Sequence, residues 1–207
     1  MENKTLITLA IIGLAMGILC ATYQQSKKIC YIKTREHLKR LEENTKPKST
    51  LPKAINLVGD LCRANPKLGI ETAILYVDEI EKTLGSYPKE KGVADKIKTE
   101  HIVSVIIKES GAREDAAGSL DEIGLMQIRP LHTPNLEKAG VISTSDKNNL
   151  WNAKNNIRSG IFIIMQIANR VDKLERVFSI YNAGFKKERF GRRYAQTVIK
   201  AAEKMEY

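Results

Sequence analysis

The stretch His101-Ile102-Val103-Ser104-Val105-Ile106-Ile107-Lys108-Glu109-Ser110 decides how the rest of this chain is read. Residues 102, 103, 105, 106 and 107 are apolar, so a helix here is apolar almost all round and belongs inside a fold rather than on its surface. The stretch ends on Glu109, a single carboxylate. Delivered from a buried helix, that carboxylate is poorly hydrated, which raises its pKa and lets it hold a proton near neutral pH. A general acid needs this property. Fifteen residues after the glutamate comes Gly124-Leu125-Met126-Gln127-Ile128, a glycine-led turn with one amide. A buried carboxylate followed by such a turn is the layout of a site that cleaves sugar polymers.

Further blocks follow in order: Ala117-Gly118-Ser119, Pro130 after the glycine-led turn, Asn156-Ile157 with Gly160, and Tyr181-Asn182-Ala183-Gly184. Arg192 with Tyr194 and Val198 is a weaker one. Together with Glu109-Ser110, these blocks resemble the lytic transglycosylase family of the lysozyme superfamily, over roughly residues 98–200. The resemblance implies a mostly α, lysozyme-like α+β domain with a small β-hairpin, and Leu125 to Ile128 is the expected strand of that hairpin.

The resemblance also implies a reaction. The glutamate matching Glu109 protonates the glycosidic oxygen between MurNAc and GlcNAc, then takes a proton from the muramic acid 6-hydroxyl. A 1,6-anhydro sugar forms, and no water is consumed. This scheme needs no second carboxylate, because the substrate's N-acetyl group can stabilise the cation-like centre. Substrate contacts are expected from Ser119, Met126, Gln127, Tyr181, Asn182 and Tyr194. A second carboxylate, if one serves, would be Asp121 or Glu122 in the turn before Gly124. It would make the enzyme a hydrolytic muramidase, with carboxyls about 5 Å apart for retention or about 6.5–9.5 Å for inversion. A third alternative is a glycan-binding structural component without catalysis.

The chain departs from the family pattern at three positions. Gly118 stands where the family has serine, and Ser119 comes one residue late. Arg129 stands where methionine is common before Pro130, and Phe190 where glutamate is common before Tyr194.

The remaining sequence narrows the class. Cys20, Cys30 and Cys62 make no metal-ligand spacing, and an odd count argues against a disulfide framework. His37, His101 and His132 flank no carboxylate cluster, and no phosphate-cradling glycine loop or nucleophile elbow is present. Neither a cofactor nor a metal is expected. The net charge of +10 is concentrated in residues 1–53, so the catalytic half is only mildly basic and nucleic acid is not an expected partner. One basic cluster, Lys186 to Arg193 with Phe190 inside it, reads either as a solvated loop or as a contact for anionic wall polymer.

Four segments are expected. Residues 1–23 form a tail and a transmembrane anchor, because Thr5 to Tyr23 carries no charge and is long enough to span a bilayer. A signal peptide cleaved after Gly17 is the alternative, and the apolar run past Gly17 favours the anchor. Residues 24–53 form a charged stalk and linker, 54–97 a helical lead-in, and 98–207 the lysozyme-like domain. The expected placement is therefore a single-pass membrane protein acting on peptidoglycan. The lysines and arginines after the apolar run would hold the domain in the cytoplasm. Carriage in a phage particle, or in a conjugation or secretion complex, would reconcile that bias with a substrate on the other side. Helices are further expected over 54–64, 70–84, 96–109, 156–171 and 177–183.

Overall fold

The computed structural model describes residues 51–88, 92–143 and 149–205. Seven α-helices lie among them: α1 Leu51–Ala64, α2 Ile70–Gly85, α3 Thr99–Ser110, α4 Thr133–Lys138, α5 Ala153–Ala168, α6 Leu174–Ala183 and α7 Glu188–Met205. Helix α3 is the central one. Thr99 through Ile106 and Ser110 are buried, as a surface apolar almost all round requires. It packs against α7 and α2, while α5 packs against α2 and α6.

Charged residues tie the helices together at their edges. Arg158 of α5 bonds Glu79 of α2 at 2.6 Å, and Glu79 is buried. Lys53 of α1 reaches Glu100 in the first turn of α3 at 2.7 Å. Arg176 of α6 makes a two-pronged pair with Glu188 of α7, at 2.8 and 3.1 Å. Those last two helices form the most extensive pair in the fold. Their approach depends on Gly191, because a Cβ there would lie 2.0 Å from the Ser179 carbonyl oxygen.

Three expectations are corrected here. No strand occurs among the described residues, so the β-hairpin of the lysozyme-like α+β reading is absent. Residues 117–128 instead form a bridged loop, in which Ile123 pairs singly with Ala117 and with Ile128. Left-handed backbone at Asp121, Gly124 and Gln127 interrupts any extended ladder, so Leu125 to Ile128 cannot run as a strand. Second, no helix among the described residues is long and apolar enough to cross a membrane, and the single-pass membrane placement is not upheld. The longest, α7, carries arginines and lysines along its exposed side. The run 5–23 expected to be the anchor lies outside the described residues. Third, the basic cluster 186–193 is a 3-10 turn, Phe185–Lys187, leading into α7, not a loop.

Candidate functional site

Glu109 is the next-to-last residue of α3, which stops abruptly because Gly111 and Ala112 both take left-handed backbone. The chain then returns across the helix end as the bridged loop. Ser110 fastens the two together. Its hydroxyl donates to the Leu125 carbonyl at 2.8 Å and accepts from the Arg113 N–H. The Glu-Ser pair thus divides its work, the serine anchoring the loop beside the glutamate.

Asn156 in α5 holds the loop from its other side. Its Oδ1 accepts from the Met126 N–H, and its Nδ2 donates to the carbonyls of Ile123 and Leu150, each at 2.8 Å. Met126 packs into the space left by Gly160, where a Cβ would meet its sulfur at 2.3 Å. The Gly124 position is equally tight, since a Cβ there would lie 2.6 Å from Asn156 Nδ2. These separate blocks of sequence are therefore one packing unit.

A cleft of about 180 Å³ opens over this unit. Glu109, Glu122, Gln127, Arg129, Tyr181 and Asn182 line it, with Ile128, His132 and Ile163 completing the walls. Tyr194, buried in α7, donates its hydroxyl to Glu109 Oε1 at 2.6 Å. Tyr181 donates instead to the Met126 carbonyl at 2.8 Å. Burial pushes the Glu109 carboxyl above the ordinary glutamate range. The Tyr194 hydrogen bond opposes that push, the Glu122 charge adds to it, and Lys108 opposes it. Both tyrosines are pushed well above the usual phenol range, first by burial and then by the Glu109 charge, so they remain donors.

Gln127 takes left-handed backbone and spends both amide hydrogens on the carbonyls of Ala116 and Gly124, at 3.0 and 2.9 Å. Only its oxygen is left to face a ligand. Glu122 folds back over the loop, with Oε2 accepting from the Leu120 N–H at 2.8 Å. Gly118 makes this fold possible. A Cβ at that position would meet Glu122 Oε2 at 2.2 Å, so a serine there and the observed Glu122 conformation exclude each other.

The structure does not bring every expected contact residue to the cleft. Ser119 and Asp121 are exposed and lie outside its lining, Asp121 as a left-handed turn residue. Met126 is fully buried and presents only backbone to its neighbours' polar groups. Arg129, one of the three departures from the family pattern, lines the cleft, and so do His132 and Ile163, which nothing in the sequence marked as contacts. Pro130 marks the 129–132 segment in the sequence, and it opens the 3-10 turn Pro130–His132. Burial and the neighbouring Arg129 hold His132 below the usual imidazole range.

Two comparisons with known proteins bear on this arrangement. A protein of Escherichia coli (strain K12) described as peptidoglycan-binding-like is 29% identical over 128 residues, covering 57% of this chain and 80% of that protein. The model of the family described as Transglycosylase SLT domain matches residues 86–203, more than half of the chain. That span contains α3, the bridged loop, α5, α6 and nearly all of α7, which are the elements that build the cleft. The chain belongs to the transglycosylase SLT domain family, and its domain is of the peptidoglycan-acting, lytic transglycosylase type.

Proposed function

We propose that Glu109 is the catalytic acid and base of a lytic transglycosylase that cleaves the MurNAc-GlcNAc β-1,4 bond without water. The observation that carries this reading is the Glu109 carboxyl itself, raised in pKa by burial yet tethered by one Tyr194 hydrogen bond at the edge of an open cleft. Glu109 gives its proton to the glycosidic oxygen as the C1–O bond breaks. The substrate's acetamido oxygen stabilises C1 from the opposite face. The carboxylate then takes the proton of the 6-hydroxyl as O6 closes on C1. The proton account balances, Glu109 ends as it began, and the product is 1,6-anhydroMurNAc.

One observation favours a second reading. Glu122 lines the same cleft and raises the Glu109 pKa through its charge, so a second carboxylate is within electrostatic reach of the acid. A hydrolytic muramidase would use it to activate water or stabilise the cation. Mass spectrometry of digested sacculi separates the two readings. Anhydro ends are lighter than reducing ends by one water, and reducing ends alone would overturn the transglycosylase reading. Glu109→Gln is expected to slow release by about 10²–10⁴-fold, the usual worth of a positioned acid–base group. Undiminished release by that variant would remove Glu109 from the mechanism.

A further inference from the structure

Beside the cleft lies a larger pocket, of about 610 Å³, which shares His132 and Ile163 with it as a common wall. Its apolar walls are Leu136 of α4, Phe162 and Ile167 of α5, and Phe185 at the start of the 3-10 turn, with Asn135 and Gln166 as neutral polar groups among them. Lys138 and Arg170 stand at its rim, both exposed, with the Arg170 guanidinium 6.0 Å from the centre of the Phe185 ring. No carboxylate is found among the described lining residues, and neither cation makes an ion pair among them. The volume is that of a ligand site rather than a packing defect.

The glycan strand explains this pocket poorly. Its hydroxyls are neutral and have no use for two cations or for five apolar side chains. The other half of peptidoglycan fits both features. Every second sugar carries a short peptide with aliphatic side chains and free carboxylates, and that peptide leaves the strand sideways, close to the bond being cut. We propose that this side pocket takes the peptide stem of the muramic acid at the cleavage site, with Arg170 and Lys138 meeting its carboxylates and Phe162, Ile163 and Phe185 covering its aliphatic part. The pocket then makes the enzyme selective for peptide-bearing strands over bare glycan. This rests on the cleavage reading above for its catalytic arm only.

The test compares cleavage of intact sacculi with cleavage of sacculi whose peptides an amidase has removed. Wild type is expected to cut the peptide-bearing strands with the higher kcat/KM. The Arg170→Ala/Lys138→Ala double variant is expected to lose about tenfold on them, the scale of two rim-exposed ion pairs, with bare glycan cut as before. Equal wild-type rates on both substrates, or an equal loss by the variant on both, overturns the proposal. A binding arm needs no turnover. Calorimetry with the free stem tetrapeptide and the Glu109→Gln protein should show binding that the two rim substitutions weaken about tenfold on the same scale. Absence of binding, or binding indifferent to those substitutions, also overturns it. Failure of wild type to cut either substrate while the tetrapeptide still binds through the two cations counts against the cleavage reading alone and supports the pocket assignment.

Discussion

Asn156→Asp changes one buried atom and should make stability depend on pH. The residue is 1% exposed and satisfies three backbone groups of the loop and its neighbour. An aspartate keeps the acceptor for the Met126 N–H. It loses the amide that donates to the Ile123 and Leu150 carbonyls at 2.8 Å, and puts a negative oxygen against both. Each buried acceptor left without a donor costs about 1–3 kcal/mol, so the pair costs about 2–6 kcal/mol. That is a large share of a typical ~5–15 kcal/mol total. At about 2–4 °C per kcal/mol for a domain of this size, the variant should melt about 5–20 °C below wild type near neutral pH. Protonation returns one donor to the carbonyls and favours the neutral acid, so the folded-state pKa lies above the unfolded one. The protonated variant is therefore closest to wild type below the unfolded aspartate pKa of about 3.9. The deficit opens as pH rises through the folded-state pKa. Thermal melts of both proteins by far-UV circular dichroism, from about pH 4 to about pH 8, read this directly. A variant that melts with wild type near pH 8, or whose deficit is the same throughout, would refute the role assigned to Asn156.

Two further predictions concern the acid and its neighbours. If protonated Glu109 is the acid, the alkaline limb of kcat/KM follows its pKa. Tyr194→Phe removes a bond that favours the charged form and should move that limb to higher pH. Glu122→Gln removes a charge that raises the pKa and should move it to lower pH. Limbs that move together, or stay still, in the pH–rate profiles of the two variants contradict this account. Gly191→Ala sets a Cβ 2.0 Å from the Ser179 carbonyl oxygen, forcing α6 and α7 apart one turn before Tyr194. A loss of about 1–3 kcal/mol or more is expected for such overpacking, read as a lowered Tm, with the alkaline limb displaced in the direction of Tyr194→Phe.

Much of the site was legible because its pattern is local. The run 101–108 is apolar almost all round, so a buried α3 ending in a carboxylate follows from its apolar content alone. The helices read over 54–64, 70–84 and 177–183 lie within α1, α2 and α6, whose apolar stripes recur at helical spacing. Helix α5 starts and ends earlier than its apolar pattern suggested, since Asn152 caps it and Asn169 closes it. Helix α7 has a weak signature in the sequence because its buried side is Gly191, Tyr194, Ala195, Val198 and Ala202, a narrow and small-residue stripe among charges. The hairpin, implied by the resemblance, gives way to a bridged loop because left-handed backbone at Asp121, Gly124 and Gln127 breaks a strand, and residue type foretold it only at Gly124.

By itself, the sequence determined which carboxyl would stand at the end of a buried helix, since the apolar residues that bury that helix are its neighbours along the chain. It also determined which short blocks belong together. Only the tertiary structure decided their partners. Tyr194, not Tyr181, bonds Glu109, because α7 lies against α3 while Tyr181 reaches the Met126 carbonyl. Glu122, not Asp121, lines the cleft, because Asp121 is an exposed left-handed turn residue while Gly118, lacking a side chain, leaves room for the Glu122 carboxylate, whose Oε2 would lie 2.2 Å from a Cβ at that position. Hydrogen bonds of 2.6–2.8 Å depend on positions set by distant helices, and spacing along the chain does not encode them.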